Sequence, residues 1–420
     1  MTDTLDVYLN HVRLGELSSV QGRLSFRYDT AYLERKDAAA LSFTLPLSGQ
    51  SYGDEIVSPF FSNLLPDEGI RQKVARILQV SPENTFGLLK ELGEDCAGAV
   101  SLFAPGRTPQ DGASPLYREL SEDDADSILT NLDRRPLNVG DADFRISGAG
   151  AQNKLVACVF EGKVALPLRG TPSTHIIKPG IPVFEESVFN ELFCMKLAAK
   201  CRISVPGCGV LRIKGMPYYV VDRFDRVRKD GQWLRLHQED FCQLLRVDPK
   251  IKYESEGGPG IQSCAELLQS MELPGSAMIE FIRRVVFNFL IGNGDAHAKN
   301  FSVLYRYGKP ELAPAYDLLS TLVYPDLSGK LAMKIGGEYK FRWITPGKFD
   351  RMAKQCGVKE ALVRGEVKDL SARMLSAAQE VEAQLAKANP SPIYAKIARI
   401  IRANIGIASR TDAPGGDLKS

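Results

Sequence analysis

The chain has 420 residues, of which 44% are hydrophobic and 25% charged, with a formal net charge of +2. That length gives room for two or three domains, and that composition belongs to folded globular proteins, which excludes disorder over most of the chain. The near-neutral balance also excludes a strongly basic nucleic-acid coat. Only Arg283-Arg284 and Arg399–Arg402 stand as local basic clusters, and solvated helix faces are the simpler reading of both.

Residues 5–46 are expected to hold short strands, because Val7 and Leu9, then Leu24, Phe26 and Tyr28, then Leu41, Phe43 and Leu45 alternate with other residues. Helices come next. Pro66-Asp67 opens one that runs to about Val80, and Ser81 is expected to cap the next with Pro82 at its first position. Cys96–Ala104 has the pattern of a strand, and the Pro- and Gly-rich stretch 104–115 that of a linker. Ser121 with three acidic residues behind it opens a helix whose dipole favours them. Strands are then expected at Lys154–Phe160, Thr174–Lys178, Gly207–Ile213 and Tyr218–Phe224, with a helix at Glu185–Ala199. From 238 onward helices dominate, Ala277–Ile291 is apolar enough for deep burial, and the tail beyond Ser409 should fray.

No run of eighteen uncharged apolar residues is present, and the acidic N-terminus lacks a signal core, so a cytoplasmic chain without a membrane span is expected. The eight cysteines include no C-x-x-C pair and are expected as reduced core thiols. His11, His175 and His237 are expected as surface or packing histidines, since no zinc-ligand spacing appears.

The chemistry concentrates in Ile291-Gly-Asn-Gly-Asp-Ala-His-Ala-Lys-Asn-Phe-Ser302. Asp295 and Asn300 have the spacing of a kinase catalytic base and its metal-binding Asn, and Asp317 comes later with room for a strand pair before it. An acceptor hydroxyl must be oriented and deprotonated, which suits Asp295. Mg²⁺ takes a few hard oxygens plus the nucleotide's phosphates, which suits Asn300 and Asp317. His297 and Lys299, inside the same loop, join the residues expected to meet the nucleotide. Ser147-Gly148-Ala149-Gly150-Ala151-Gln152 is a candidate phosphate loop, because Gly148 and Gly150 can take positive φ and bring backbone N–H groups to a phosphate. Lys178, ending a strand, is a candidate for the phosphates, with Glu191 or Glu186 as its acidic partner. The carbonyl of Glu239 and the N–H of Phe241 are candidates for reading adenine.

Taken in order, Ser147–Gln152, Thr174–Lys178, Arg223-Phe-Asp-Arg226, Gln238-Glu-Asp-Phe241, Tyr253-Glu-Ser-Glu-Gly-Gly-Pro-Gly260, Gly294–Phe301 and Pro314-Ala-Tyr-Asp317 resemble the HipA-type toxin kinases. The resemblance spans residues 5 to 400 and implies a serine/threonine protein kinase with a bilobal, protein-kinase-like α+β fold. It implies a β-rich N-terminal subdomain over 1–106, a kinase N-lobe over 107–236 and a mainly helical catalytic lobe over 237–420. Carried over by position, Asp295 is the catalytic Asp, Asn300 and Asp317 the Mg²⁺ ligands, Lys178 the ATP-phosphate lysine, and Glu239 with Phe241 the adenine hinge. By the same resemblance Ser147 matches the family's inhibitory autophosphorylation site, with Gly148 just after it as a mild departure. The implied partners are a small helix-turn-helix antitoxin resembling HipB, operator DNA reached mainly through that antitoxin, and an aminoacyl-tRNA synthetase substrate, the glutamyl enzyme first. Growth arrest and persistence would result. Two other readings compete: a small-molecule kinase of the aminoglycoside or choline type, which shares the Asp-x-His-x-x-Asn loop, and a corepressor whose pocket only senses nucleotide.

Overall fold

The computed structural model describes residues 3–109, 115–140, 145–306 and 308–410. The linker stretch lies partly, and the tail beyond Arg410 wholly, outside the described residues. The chain forms two compact units, and it crosses between them several times: one holds Met1–Pro182, Pro206–Ile251 and Ser302–Ala313, the other Val183–Val205, Lys252–Phe301 and Pro314–Ser420.

The first unit opens with an antiparallel sheet ordered β3-β2-β1-β4, from β1 (Asp3–Leu9), β2 (Val12–Val20), β3 (Arg23–Tyr28) and β4 (Val100–Phe103). Leu5, Val7, Leu17, Leu24 and Phe26 from this sheet share one core with Phe60, Phe61, Leu88 and Leu89 from the helices between β3 and β4. Burial of such side chains contributes roughly 1.5–3 kcal/mol each. Residues 41–45, expected as a strand, make only an isolated bridge between Ser42 and Leu45. The Tyr28 hydroxyl takes the ladder's place there: it accepts from the Leu41 N–H at 2.7 Å and donates to the Leu45 carbonyl at 2.5 Å.

The helix expected from Ser81 begins instead at Thr85, because Asn84 caps it by accepting from the Gly87 N–H at 2.9 Å. The expected helix after Asp67 (Glu68–Leu78) and the one after Ser121 (Glu122–Thr130) are both present, and the Ser121 hydroxyl caps the second.

A second sheet, ordered β5-β7-β6-β8-β10-β9, comprises β5 (Tyr117–Glu119), β6 (Leu155–Phe160), β7 (Lys163–Pro167), β8 (His175–Lys178), β9 (Cys208–Ile213) and β10 (Met216–Asp222). The hairpin β11 (Arg226–Lys229) and β12 (Gln232–Arg235) and the three-stranded sheet β13 (His237–Asp240), β14 (Ser302–Arg306) and β15 (Lys309–Leu312) are the unit's other strands among the described residues.

Five charged residues are buried together in this unit. Asp95 receives Arg226 at 2.7 Å and Arg235 at 3.1 Å, while Arg223 pairs with Asp225 at 2.7 Å. The Asp225 carboxylate also accepts the Gly98 N–H at 2.7 Å. Burial works to raise the Asp95 carboxyl, but the guanidiniums of Arg226, Arg235 and Arg223 outweigh it and hold that group well below the usual carboxylate range. Such a cage joins residues from around 95 to those from 223 to 235.

The second unit is mainly helical, with helices Ser187–Lys200, Ile261–Ser270, Gly275–Ile291, Pro346–Gln355, Glu360–Leu385 and Ile393–Ala408 and the hairpin β16 (Lys330–Ile335) and β17 (Glu338–Lys340). The helix Gly275–Ile291 is buried along most of its length, as its composition predicts. Phe289 packs on Phe341 and Phe349, and Phe281 on Phe301. Arg283 and Arg284 are not a solvated face. Arg283 binds Glu366 and Asp369 at 2.6 and 2.9 Å, and buried Arg284 binds Glu280 at 3.0 Å. All eight cysteines are free thiols, as expected, and only Cys208 is not fully buried. No helix among the described residues is long and apolar enough to cross a membrane.

Candidate active site

Gly292 makes the loop possible. It ends the helix Gly275–Ile291 at φ 74°, and the Asn293 N–H returns to the Asn288 carbonyl at 2.8 Å, the closing bond of a Schellman turn. A Cβ at Gly292 would lie 2.8 Å from Ile400 and, at this positive φ, would be strained as well as crowded. The turn leaves the chain heading out of the core with Asn293 still inside it.

Asn293 then organises the catalytic loop. Its Oδ1 accepts the Asp295 N–H at 3.0 Å, and its Nδ2 donates to Asn288 Oδ1 at 2.8 Å and reaches the Asp317 carbonyl at 3.5 Å. One buried amide therefore ties the backbones of Asp295 and Asp317 into a single frame. The Asp295 carbonyl accepts the His297 N–H at 2.8 Å and the Asn300 side-chain nitrogen at 2.9 Å. Since the amide nitrogen of Asn300 is committed, its oxygen is the end left to offer a cation. The Asp295 carboxylate accepts the Tyr253 hydroxyl at 2.5 Å. Asp317 sits at φ 53°, a left-handed conformation that non-glycine residues take at some cost and that concentrates at functional sites. Tyr316 beside it donates to the Lys299 carbonyl at 2.9 Å.

Asp295, His297, Lys299, Asn300 and Asp317 are thus brought together within one unit, and the expected strand pair, β14 and β15, does lie between Asn300 and Asp317 in the chain. Among the described residues no group of three His, Cys, Asp or Glu could hold a metal by itself. The Asn300–Asp317 pair is a different kind of donor set, two hard oxygens that leave the remaining positions to phosphate and water, which is how Mg²⁺ is commonly held.

Ser147–Gln152, Lys178, Glu239 and Phe241 lie in the first unit, and Glu186 and Glu191 in the second. Buried Ser147 donates its hydroxyl to the Leu64 carbonyl, and its N–H donates to the Asp95 carbonyl at 3.2 Å. The Asp67 N–H donates to the Gly150 carbonyl at 3.2 Å, and the Lys154 ammonium donates to the Ala149 carbonyl. Gly150 does take positive φ, 108°. Gly148 does not: its need is for space, because a Cβ there would lie 2.6 Å from Leu137. Gln152 donates to the Pro179 carbonyl at 3.1 Å, which ties the far end of the loop beside Lys178. Lys178 is buried at the end of β8, its ammonium 5.7 Å from the centre of the Tyr219 ring, so it is not the exposed lysine its strand-end position suggests. Of its two proposed partners, Glu191 is buried on the helix Ser187–Lys200, whereas Glu186 is that helix's left-handed N-cap at φ 59°.

Phe241, fully buried, starts the short helix Phe241–Leu244 behind a capping box of Asp240 and Gln243. Glu239 precedes it on β13, and its side chain is committed elsewhere. It accepts from the Ser42 hydroxyl, from the Phe43 N–H at 3.3 Å and from the Tyr305 hydroxyl at 2.7 Å. Burial pushes this carboxyl up to about 7, against three donors that favour its charged form. His237 on the same strand is a packing histidine, as expected. It bonds the Leu41 carbonyl at 2.7 Å, stacks on Tyr305, and is driven down to about 4 by burial.

An α+β chain whose helical unit carries an Asp–Asn loop and a second Asp behind a strand pair has the make-up of a protein-kinase-like phosphotransferase. Known proteins agree. Residues 5–103 match the HipA N-terminal domain, and residues 146–381 match the HipA-like C-terminal domain. The Y4mE protein of Sinorhizobium fredii is 41% identical over 354 residues, 83% of this chain and 84% of its own length. The serine/threonine-protein kinase toxin HipA of Shewanella oneidensis is 31% identical over 356 residues, 80% of each chain. A solved structure of the Shewanella oneidensis toxin–antitoxin system, HipA with HipB and operator DNA, superposes with a TM-score of 0.84 at 26% identity, covering 96% of this chain and 97% of that one. The chain belongs to the HipA family of serine/threonine-protein kinase toxins. The expected kinase activity and kinase-like α+β fold are borne out.

Proposed function

We propose that this chain is an ATP- and Mg²⁺-dependent kinase whose acceptor is a protein hydroxyl, with Asp295 as the residue that orients that hydroxyl and takes its proton. The observation that carries the reading is the Asn293 amide, which holds Asp295 and Asp317 in one frame. Asn300 and Asp317 would hold Mg²⁺, which when bound supplies charge neutralisation on the phosphates. Lys178 and the backbone of Ser147–Gln152 would hold the phosphates themselves, with His297 and Lys299 also meeting the nucleotide and Glu239 and Phe241 reading adenine through their backbone. Catalysis then rests on positioning and electrostatics more than on covalent chemistry.

As a toxin it would work in the cytoplasm and pair with a small helix-turn-helix antitoxin, HipB-like, that mediates contact with operator DNA. Its substrate would be an aminoacyl-tRNA synthetase, the glutamyl enzyme being the leading choice, and phosphorylation would halt translation and bring growth arrest and persistence. Residues 1–106 would be the family-specific subdomain, with the kinase lobes at 107–236 and 237–420. Autophosphorylation of Ser147 would switch the enzyme off. The buried hydroxyl of Ser147 faces a carbonyl oxygen, and a phosphoryl group there would add roughly −1.5 to −2 charges where only a neutral donor is accommodated. The loop would leave rather than bury that charge.

Incubation with γ-labelled ATP and a cell extract tests the acceptor class. Label on a protein of synthetase size is expected. Label on small metabolites alone would favour a small-molecule kinase, and an inert chain would favour a nucleotide sensor.

A further inference from the structure

The segment Tyr253–Gly260 has no part in the phosphate, metal or adenine contacts proposed above, yet its first residue touches Asp295. We infer that Tyr253 is a positioning residue for phosphate transfer, fixing the Asp295 carboxylate so that one oxygen faces the acceptor. The inference rests on the kinase reading of Asp295.

The backbone of Asp295 is held from three sides, by Asn293 on its N–H and by His297 and Asn300 on its carbonyl. None of these bonds sets the torsion of the carboxylate. That is left to the Tyr253 hydroxyl, which donates to Oδ1 at 2.5 Å from 42 positions away in the chain. A bond to a charged oxygen is stronger than a neutral one. With Oδ1 engaged, Oδ2 is the oxygen presented to an incoming hydroxyl. A freely rotating carboxylate would spend much of its time with neither oxygen in place, and misplacement of about an ångström can cost a hundredfold in rate.

The tyrosine is itself held in place. Its ring packs edge-on against the His297 ring, centroids 5.1 Å apart, so it is braced by the loop it serves. Glu254 next to it anchors the segment: it accepts the Lys334 N–H at 2.6 Å and faces the Lys334 ammonium at 3.6 Å. A Cβ at Gly260 would lie 2.8 Å from the Glu254 carboxyl and would push that side chain from its place. Gly257, at φ 94°, turns the chain after Glu256. The glycines and Glu254 hold the segment in a shape that delivers one hydroxyl to one carboxylate.

Tyr253→Phe removes only that hydroxyl and keeps the ring on His297. At saturating ATP, label transfer from γ-labelled ATP into protein of a cell extract should fall about tenfold or more, while ATP affinity, KM for ATP and the thermal midpoint stay those of the wild type. Tyr253→Leu, which also removes the ring, should lose more rate. Three results would overturn the inference: an unchanged rate, a faster rate (Tyr253 would then compete with the acceptor), or a loss of ATP affinity that accounts for the whole defect. If the wild type itself labels no protein, the failure belongs to the kinase reading; if it labels protein and Tyr253→Phe matches it, only the role of Tyr253 falls.

Discussion

Two polar clusters in this chain are built on opposite plans. The cage of Asp95, Arg223, Asp225, Arg226 and Arg235 is buried, and its charges are spent on one another and on nearby carbonyls and N–H groups. The frame around Asn293 buries the amide that organises it but leaves Asp295, Asn300 and Asp317 partly exposed. Closed clusters hold a fold together. Open ones, with fixed backbones and partly exposed side chains, can do chemistry. Changes in the cage should therefore cost stability, and changes in the frame should cost rate.

The largest effect on folding is expected from Asp95→Ala. It removes the carboxylate that faces three guanidiniums, and breaking a buried ion pair by taking one partner typically costs about 3–5 kcal/mol. Denaturant midpoints would measure it, and a loss below about 1 kcal/mol would break the contrast. Asp317→Ala should do the reverse: phosphate transfer should drop by roughly a hundredfold or more through lost electrostatic stabilisation, with stability changed by less than about 1 kcal/mol. Ser147→Ala removes the hydroxyl that donates to the Leu64 carbonyl and keeps the backbone N–H that donates to the Asp95 carbonyl, so it leaves the cage intact. If Ser147 is the inhibitory site proposed above, that variant should begin at a rate near the wild type's and keep transferring label while the wild type's rate decays. Time courses with mass determination at Ser147 would check this.

The smallest effect is on the pH dependence of stability, to which two residues on β13 contribute with opposite sign. The folded pKa of His237 lies below its ordinary 6.5, at about 4, so its contribution to stability is present above 6.5 and lost as pH falls towards 4. The folded pKa of Glu239 lies above its ordinary 4.5, at about 7, so its contribution is present below 4.5 and lost as pH rises through 7. Between 4.5 and 6.5 the two oppose each other. Glu239→Gln should uncover the His237 slope, so that unfolding free energy rises with pH across that window. Parallel curves for variant and wild type would contradict the assignment.

Much of the candidate site was legible because its signals are local. The Asp295–Asn300 spacing, the buried helix before it and the strand pair after it all lie within a few dozen residues. Cap chemistry worked at Ser121 and failed at Ser81, where Asn84 three residues on had the better geometry. Alternation worked for β1 and β3 and failed at 41–45, where the Tyr28 hydroxyl replaces the ladder. What stayed hidden was long-range. Nothing near Tyr253 announces Asp295, nothing near Asp95 announces three arginines from 223 to 235, and nothing near Glu239 announces Ser42. Periodicity and spacing describe neighbours along the chain, whereas these contacts depend on the finished fold.

The most direct test compares the wild type with Asp295→Asn, which keeps the shape of the side chain and removes the base. ATP binding and transfer of label from γ-labelled ATP into protein would be measured on the same preparations. Unchanged nucleotide affinity with transfer reduced by roughly 10²–10⁴-fold is the result expected of a lost general base. Transfer at the wild-type rate would contradict the role given to Asp295.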